Sequence, residues 1–414
     1  MRQARRAGRG SFSRRGRARL ALAARLLAAF LAGLVTGLAA LPAAAGEPGG
    51  FWGEQRRGAN FFNKVETRAR LDAARDFGVD FVRLTFDKWR GERRDFLAGS
   101  LDAYAGLVPA DLARLKRVLD DAATAGVKVV LTPLGLPGAR WVQLNGRRHD
   151  GRLWRDKAYW DEAAAYWRDI ATAFKGHPAI AAYNVVNEPV PERGHRLPED
   201  DLAARDRWCA AARGTARDLD AFYRHMVAAI RAVDATVPIV LDTGSYGQPA
   251  AVRCLVPIAD DNVIYSVHLY APYDFTSHEN RGRFTYPGVV RAHGRAEYWD
   301  RARVARHLSP FLEWAEARRI PRSRLMVGEF GCVRWNRGCS AYLADVVSLV
   351  EEAGLHWAFY SFREDAWDGY DYELGTGRPK AAVRAALRRG ERPRGAERDE
   401  PFMAILRRAL AGRS

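Results

Sequence analysis

Short runs rich in Val, Ile, Leu and Phe recur eight times along this chain, at 57–61, 79–86, 127–133, 180–187, 237–242, 262–268, 324–330 and 355–362. Between them lie stretches with apolar residues at spacings of three and four, at 66–77, 109–125, 157–174, 219–233, 301–318 and 341–352. An unbroken apolar run bounded by turn residues argues for a strand, and a period near 3.6 argues for a helix. Strands without a polar face must be buried on both sides, as in a parallel sheet covered by helices. Gly78, Gly126 and Gly354 stand where a helix C-terminus accepts a left-handed residue. Eight β-then-α units with no dividing linker predict an α/β fold, a single (β/α)8 TIM barrel over 46–386, rather than a doubly wound sheet. Residues 388–400 are charged and rich in Arg, Gly and Pro, so 387–414 reads as a C-terminal extension ending in a short helix.

In such a barrel, ligands are met by residues at the C-terminal ends of the strands. Two predicted strands end in a glutamate: Tyr-Asn-Val-Val-Asn187-Glu188-Pro189 on the fourth and Leu-Met-Val-Gly-Glu329-Phe-Gly on the seventh. Either carboxylate alone could be a barrel-end ion pair. Together, facing one another across the mouth, they match the needs of glycosidic cleavage: one protonated carboxyl to assist the leaving oxygen, and one group to attack or to activate water. Glu329 is the expected nucleophile, with Arg83 beneath it favouring the charged form and the Tyr270 hydroxyl donating to it. Glu188 is the expected acid, its pKa raised by a dry position and by the charge of Glu329. Asn187 is placed to bond a sugar hydroxyl beside the reacting carbon, and His268 to orient the acid or contact substrate. Carboxyl groups about 5–5.5 Å apart would give retention of configuration.

With these elements in this order, the chain resembles glycoside hydrolase family 5, the cellulase-type branch of the (β/α)8 retaining glycosidases, over roughly residues 51–386. The resemblance rests on Phe-Val-Arg83-Leu-Thr, Asn187-Glu188-Pro189, His268-Leu-Tyr270 and Gly-Glu329-Phe-Gly. It implies Glu188 as acid/base and Glu329 as nucleophile of a β-glycosidase. Two positions depart from the family pattern: Leu134 stands where a His is usual near the end of the third strand, and Tyr360 where a sugar-platform Trp follows the eighth. Both touch the subsite for the non-reducing-side sugar, so ordinary cellulose specificity is in question. Tyr360 itself, or Trp367 in the next loop, is the substitute platform. The same departures raise an alternative, a carbohydrate-binding barrel that has lost turnover.

Residues 1–25 carry nine arginines and no acids, and 26–45 is apolar, ending in Ala43-Ala44-Ala45 before Gly46. That is the pattern of an export signal over 1–45, giving a secreted or periplasmic protein. The apolar run approaches the length of a membrane span, so an uncleaved anchor on an exopolysaccharide-trimming enzyme is the rival, and membrane contact is expected only then. Without the segment the formal charge of +17 falls to +8, and the remaining arginines scatter along helical stretches with no nucleic-acid motif among them, as on a solvated surface, so no nucleic-acid partner is expected. Export permits disulfides among Cys209, Cys254, Cys332 and Cys339. The spacing of Cys332 and Cys339 suggests a stapled loop, leaving Cys209 with Cys254, although three pairings are open. No Cys or His set has zinc spacing, and two carboxylates supply the whole reaction, so neither metal nor cofactor is expected. The connections 190–214 and 271–300 exceed what closure needs and should wall the cleft. Trp141, Tyr273, Trp335 and Tyr370 in the predicted βα loops offer stacking surfaces or loop core. The expected partner is a β-linked poly- or oligosaccharide, bound by a monomer, with the sugar itself set by loops.

Overall fold

The computed structural model describes residues 50–412 apart from 196, 293–294, 365–367, 379–384 and 387–400. Residues 1–45, where an export signal is expected, Trp367 and the connection 388–400 therefore lie outside the described residues. Eight strands, β1 (Arg57–Phe61), β2 (Phe81–Leu84), β3 (Lys128–Leu131), β4 (Ile180–Asn184), β5 (Ile239–Asp242), β6 (Val263–Leu269), β9 (Leu325–Phe330) and β10 (His356–Phe359), close into a parallel barrel. β7 (Gly288–Ala292) and β8 (Arg295–Trp299) form an antiparallel hairpin inside the long connection after β6. Helices α1 (Arg68–Phe77), α2 (Pro109–Ala125), α3 (Ala158–Phe174), α4 (Leu202–Ala212), α5 (Leu219–Arg231), α6 (Arg301–Ala317) and α7 (Cys339–Glu352) cover the outside, joined by α8 (Pro401–Ala411).

Local chemistry explains the helix limits. Asp201, Asp218 and Asp300 cap α4, α5 and α6 by accepting a backbone N–H three residues on. Gly78 and Gly126 close α1 and α2 at φ of 97° and 75°. In α5 the buried stripe is Leu219, Phe222, Tyr223, Met226, Val227 and Ile230, the period expected of a helix on a sheet.

Three expectations are revised. β4 stops at Asn184, so Asn187 and Glu188 lie beyond it in the loop; Glu188 takes φ +49°, which no strand allows. The fifth unit has no full helix: β5 leads to the short turn Gly244–Gly247 and the 3-10 segment Pro249–Cys254, in a connection punctuated by Pro249 and Pro257. The terminal helix expected beyond the barrel belongs to its outer layer. Phe402, Met403, Leu406 and Leu410 of α8 are buried in the core that holds Phe77 and Tyr372, with the Tyr372 and Phe402 rings 5.1 Å apart.

Inside the barrel, alternate residues of each strand point inward. At the N-terminal end Phe81, Val130, Ala182, Val240, Ile264, Met326 and Ala358 form an apolar layer with Trp52, whose Nε1 donates to the Ala181 carbonyl at 2.9 Å. Two residues further along the same strands stand Arg83, Thr132, Asn184, Asp242, Ser266 and Gly328. The packed floor is thus apolar and the layer above it polar. Gly328 is required there, because a Cβ would meet Ser266 Oγ at 2.6 Å and His268 Nε2 at 3.1 Å.

Gly328→Ala is expected to destabilise by about 1–3 kcal/mol and to displace the His268 ring, read by urea unfolding and by imidazole NMR. His356, at the start of β10, is buried with Nδ1 accepting from the Arg56 N–H at 3.0 Å and Nε2 beside the Ser323 carbonyl at 2.9 Å. Burial lowers its pKa to about 4. As pH falls below about 6.5 the unfolded chain takes up a proton that the folded protein refuses until about 4, so stability is lost across that window. Between pH 7 and 5 the wild type should lose about 2 kcal/mol more than His356→Gln, whose amide keeps both hydrogen bonds. Equal losses in urea titrations of the two proteins would contradict this.

Candidate active site

Arg83, fully buried on β2, organises the polar layer. Its Nη1 donates to Asn60 Oδ1 at 2.7 Å, the Gly328 carbonyl at 3.1 Å and Glu329 Oε1 at 2.8 Å. Its Nη2 donates to Asn184 Oδ1 at 2.8 Å, Asn187 Oδ1 at 2.9 Å and Asp242 Oδ2 at 3.4 Å. A buried cation requires such a shell of acceptors and countercharge. The second oxygen of Glu329, Oε2, accepts from the Tyr270 hydroxyl at 2.9 Å, so both oxygens of this carboxylate are held. Burial, then the charge of Glu329, push the Tyr270 pKa up and keep its proton in place as a donor.

Glu188 faces this group from the loop after β4. Its backbone N–H donates to Asp242 Oδ2 at 3.3 Å, and its Oε1 lies 2.8 Å from His268 Nδ1. About a tenth of the Glu188 side chain is exposed. Burial raises its pKa to about 7; the His268 contact opposes that rise and the charge of Glu329 adds to it. Burial alone would lower the pKa of His268, but Glu329 and Asp242 outweigh it and bring it up to about 10. The imidazolium Nε2 lies 3.4 Å from Asp242 Oδ2. Burial of Asp242 is likewise outweighed, by His268 and then Arg83, and its pKa falls to about 2.

The mouth therefore brings together Arg83, Asn187, Glu188, His268, Tyr270 and Glu329, the six residues expected there. Sequence reasoning passed over Asn60, Asn184 and Asp242. Asp242 carried the same signal as Glu329, a carboxylate closing an apolar strand in Ile-Val-Leu-Asp. Asn60 and Asn184 carried none beyond a polar residue inside a buried strand. One donor atom each of Glu188, His268 and Glu329 lies within 4.8 Å of the other two, close enough to hold a cation together. With His268 protonated and directed at Glu188, a metal would have to displace that proton.

Tyr360, after β10, is buried and donates to Glu364 Oε2 at 3.1 Å. Its ring is edge-on to Phe62 at 5.6 Å and to Tyr370 at 5.4 Å. Leu134, after β3, is buried beside it; its N–H donates to Asp87 Oδ2 at 2.9 Å. On the other side a cavity of about 1100 Å³ opens two residues beyond Glu188. It runs from Val190 and Glu192 past Ser245 and Tyr246 to Val290 and Trp299 of the hairpin. Tyr246 and Tyr273 are 46% and 58% exposed, and the Tyr246 ring lies 6.5 Å from that of Trp141. Disulfides Cys209–Cys254 and Cys332–Cys339, the pairing that the spacing suggested, staple α4 to the 3-10 segment and the loop after Glu329.

Comparison with known proteins agrees with this geometry. The family described as cellulase (glycosyl hydrolase family 5) matches residues 44–366. Endoglucanase C of Acetivibrio thermocellus is 21% identical over 344 residues, 75% of this chain and 88% of that protein. A β-xylosidase of Phanerodontia chrysosporium is 23% identical over 334 residues, 76% of this chain and 61% of that protein. Among solved structures, endoglucanase Cel5A of Thermotoga maritima superposes with a TM-score of 0.56 at 17% identity, covering 85% of this chain and 96% of its own. Cel5A of Pseudomonas stutzeri gives 0.58 at 19%, covering 87% and 95%. At such identities the structures bear on the fold, while the family match extends over most of the barrel. The chain belongs to glycosyl hydrolase family 5, and it is a glycoside hydrolase.

Proposed function

We propose that this protein is an exported, endo-acting hydrolase of a β-linked glucan- or mannan-type polysaccharide, working with retention through Glu329 as nucleophile and Glu188 as acid/base. The observation that carries the reading is the carboxylate pair: an oxygen of each lies within 4.8 Å of the other. Inverting enzymes keep their carboxyl groups about 6.5–9.5 Å apart to admit water. Arg83 and Tyr270 hold Glu329 charged and oriented for attack on the anomeric carbon. As that bond forms, the bond to the leaving oxygen breaks and Glu188 gives its proton to that oxygen. The glycosyl ester leaves Glu329 neutral, removing a charge that had held the Glu188 proton in place. Glu188, now a carboxylate, takes a proton from water, and the hydroxide released hydrolyses the ester. Because the Asn187 carbonyl oxygen is engaged by Arg83, its NH2 is the group left to donate to a sugar hydroxyl.

The cavity that starts at Val190, two residues along the chain from Glu188, and is lined by half-exposed Tyr246 favours a chain continuing past the cleaved bond, hence endo action. Thermotoga maritima Cel5A has been solved with cellobiose and with mannotriose, which supports the backbone class. The Arg-rich, then apolar, residues 1–45 and two disulfides support export.

Proton NMR of early product should show the β-anomer forming first; the α-anomer would mean inversion. Glu329→Ala and Glu188→Ala should each lose on the order of 10³-fold or more in kcat. Azide should restore turnover of an activated aryl glycoside as the β-glycosyl azide in Glu188→Ala and as the α-glycosyl azide in Glu329→Ala; the opposite pairing of anomer and variant would exchange their roles. Since the protonated form of Glu188 is needed, kcat/KM should fall as pH rises through about 7. His268→Gln removes the cation that lowers that pKa, so its alkaline limb should move up in pH, although its rate is lower. The intact mass of protein recovered outside the inner membrane should begin near Gly46; full-length chain confined to membranes would oppose export.

A further inference from the structure

The polar groups of the mouth come mainly from β4, β5 and β6 and their loops: Asn187, Glu188, Asp242, His268 and Tyr270. The opposite side is a separate apolar cluster of Phe62, Leu134, Val333, Tyr360 and Tyr370, against which Trp141, Tyr270 and Trp335 pack. This wall adjoins the reacting groups. The Arg83 guanidinium carbon lies 5.8 Å from the Phe62 ring centre. The Tyr360 N–H bonds to the carbonyl of Phe330, next to Glu329, at 2.9 Å, and the Asn187 N–H to the carbonyl of Pro133, next to Leu134, at 3.0 Å. The tyrosines around it have their protons committed: Tyr360 to Glu364 at 3.1 Å, Tyr370 to the Thr276 carbonyl at 3.4 Å and Tyr270 to Glu329 at 2.9 Å. Glu364 is buried and also paired with Lys88 at 3.2 Å, so the Tyr360 ring is anchored from behind.

Resting on the glycosidase reading of this site, we propose that the sugar undergoing attack turns an apolar edge to Phe62, Leu134 and Tyr360. The substrate is then a β-glycan whose donor sugar lacks a free hydroxyl at one position away from the reacting carbon, through deoxygenation or O-acylation, and Leu134 and Tyr360 set that preference. A hydroxyl pressed against the Phe62 and Tyr360 rings and the Leu134 side chain gives up water and meets carbon there, at a cost. An apolar pocket discriminates only moderately against an added hydroxyl, whereas a site built to bond a hydroxyl rejects its deletion strongly. The two cases are thus separable by single deletions.

The test is kcat/KM for 2,4-dinitrophenyl β-glucosides and β-mannosides as parent, 3-deoxy, 4-deoxy and 6-deoxy compounds. One position is expected to show the deoxy sugar favoured by about tenfold in both series, with loss at the others. Leu134→Asn, checked for an unchanged Tm, should move the balance back towards the parent by about tenfold at that same position and leave the alkaline pH limb in place. A flat series, or one in which every deletion costs tenfold or more, overturns the proposal while the hydrolase stands. Failure of every compound, together with no labelling of Glu329 by a 2-deoxy-2-fluoro glycoside, overturns the catalytic reading and the proposal together.

Discussion

The site depends on the Arg83 guanidinium being buried inside the barrel. Removing an ion from water costs several kcal/mol unless partners replace the lost hydration. Here both terminal nitrogens are surrounded by acceptors from β1, β4, β5 and β9. Those contacts bind the C-terminal ends of four strands to one planar group, so the strand ends cannot shift independently. The same guanidinium fixes one oxygen of Glu329 and the amide of Asn187. Stabilising the cation and orienting the nucleophile are therefore one arrangement, and Lys, with a single flexible nitrogen, could not reproduce it.

Around Arg83 the charges alternate. Asp242 touches Arg83, His268 and the Glu188 N–H, and His268 in turn touches Glu188. Two cations among two permanent anions leave the site near neutral, so the state of Glu188 is decided by burial and small imbalances. That is the condition for an acid to titrate near pH 7 and to change roles when Glu329 becomes an ester. Asp242 takes part without facing substrate: it holds His268 charged and ties the Glu188 backbone to β5.

The barrel was legible because its strands are apolar throughout and its first helices carry regular stripes. Glu188 and Glu329 were legible because each closes an apolar run just before a Pro or Gly, at Pro189 and at Gly331. What escaped notice lacked such periodicity. Helix α4 has only a short apolar stripe: its sequence Leu-Ala-Ala-Arg-Asp-Arg-Trp-Cys-Ala-Ala-Ala buries Trp208, Cys209 and Ala212 on one face with Arg205, and the Cys209–Cys254 disulfide holds it. The hairpin Gly288–Trp299 has two strands of only five residues, too short for alternation to stand out. The end of β4 was misplaced because Val185 and Val186 prolong the apolar run into a loop, and only the backbone of Glu188 reveals the break. Helix α8 was set apart because the charged stretch before it resembles a tail, although its buried face joins Phe77 across the first and last helices of the ring.

Three non-glycine residues with left-handed backbone, Glu188, Ser245 and Tyr246, belong to the β4 and β5 loops of this mouth. Each such conformation costs on the order of 1 kcal/mol or more and persists only where its surroundings over-determine it. For Ser245 and Tyr246 those surroundings are identifiable. The Ser245 N–H donates to buried Glu192 at 3.0 Å, the Ser245 hydroxyl accepts from buried Arg205 at 2.7 Å, and the Tyr246 hydroxyl accepts from Arg193 at 2.7 Å. Next in the chain, Gly247 lies so close to His268 that a Cβ would meet the ring at 2.7 Å. The strained turn thus presents Tyr246 to the groove on one side and backs the imidazolium of His268 on the other. Helix α4, stapled by Cys209–Cys254 to the segment after that turn, carries Arg205 into the network. A loop that looks remote from the chemistry is in this way coupled, through packed contacts, to the group that governs the Glu188 proton.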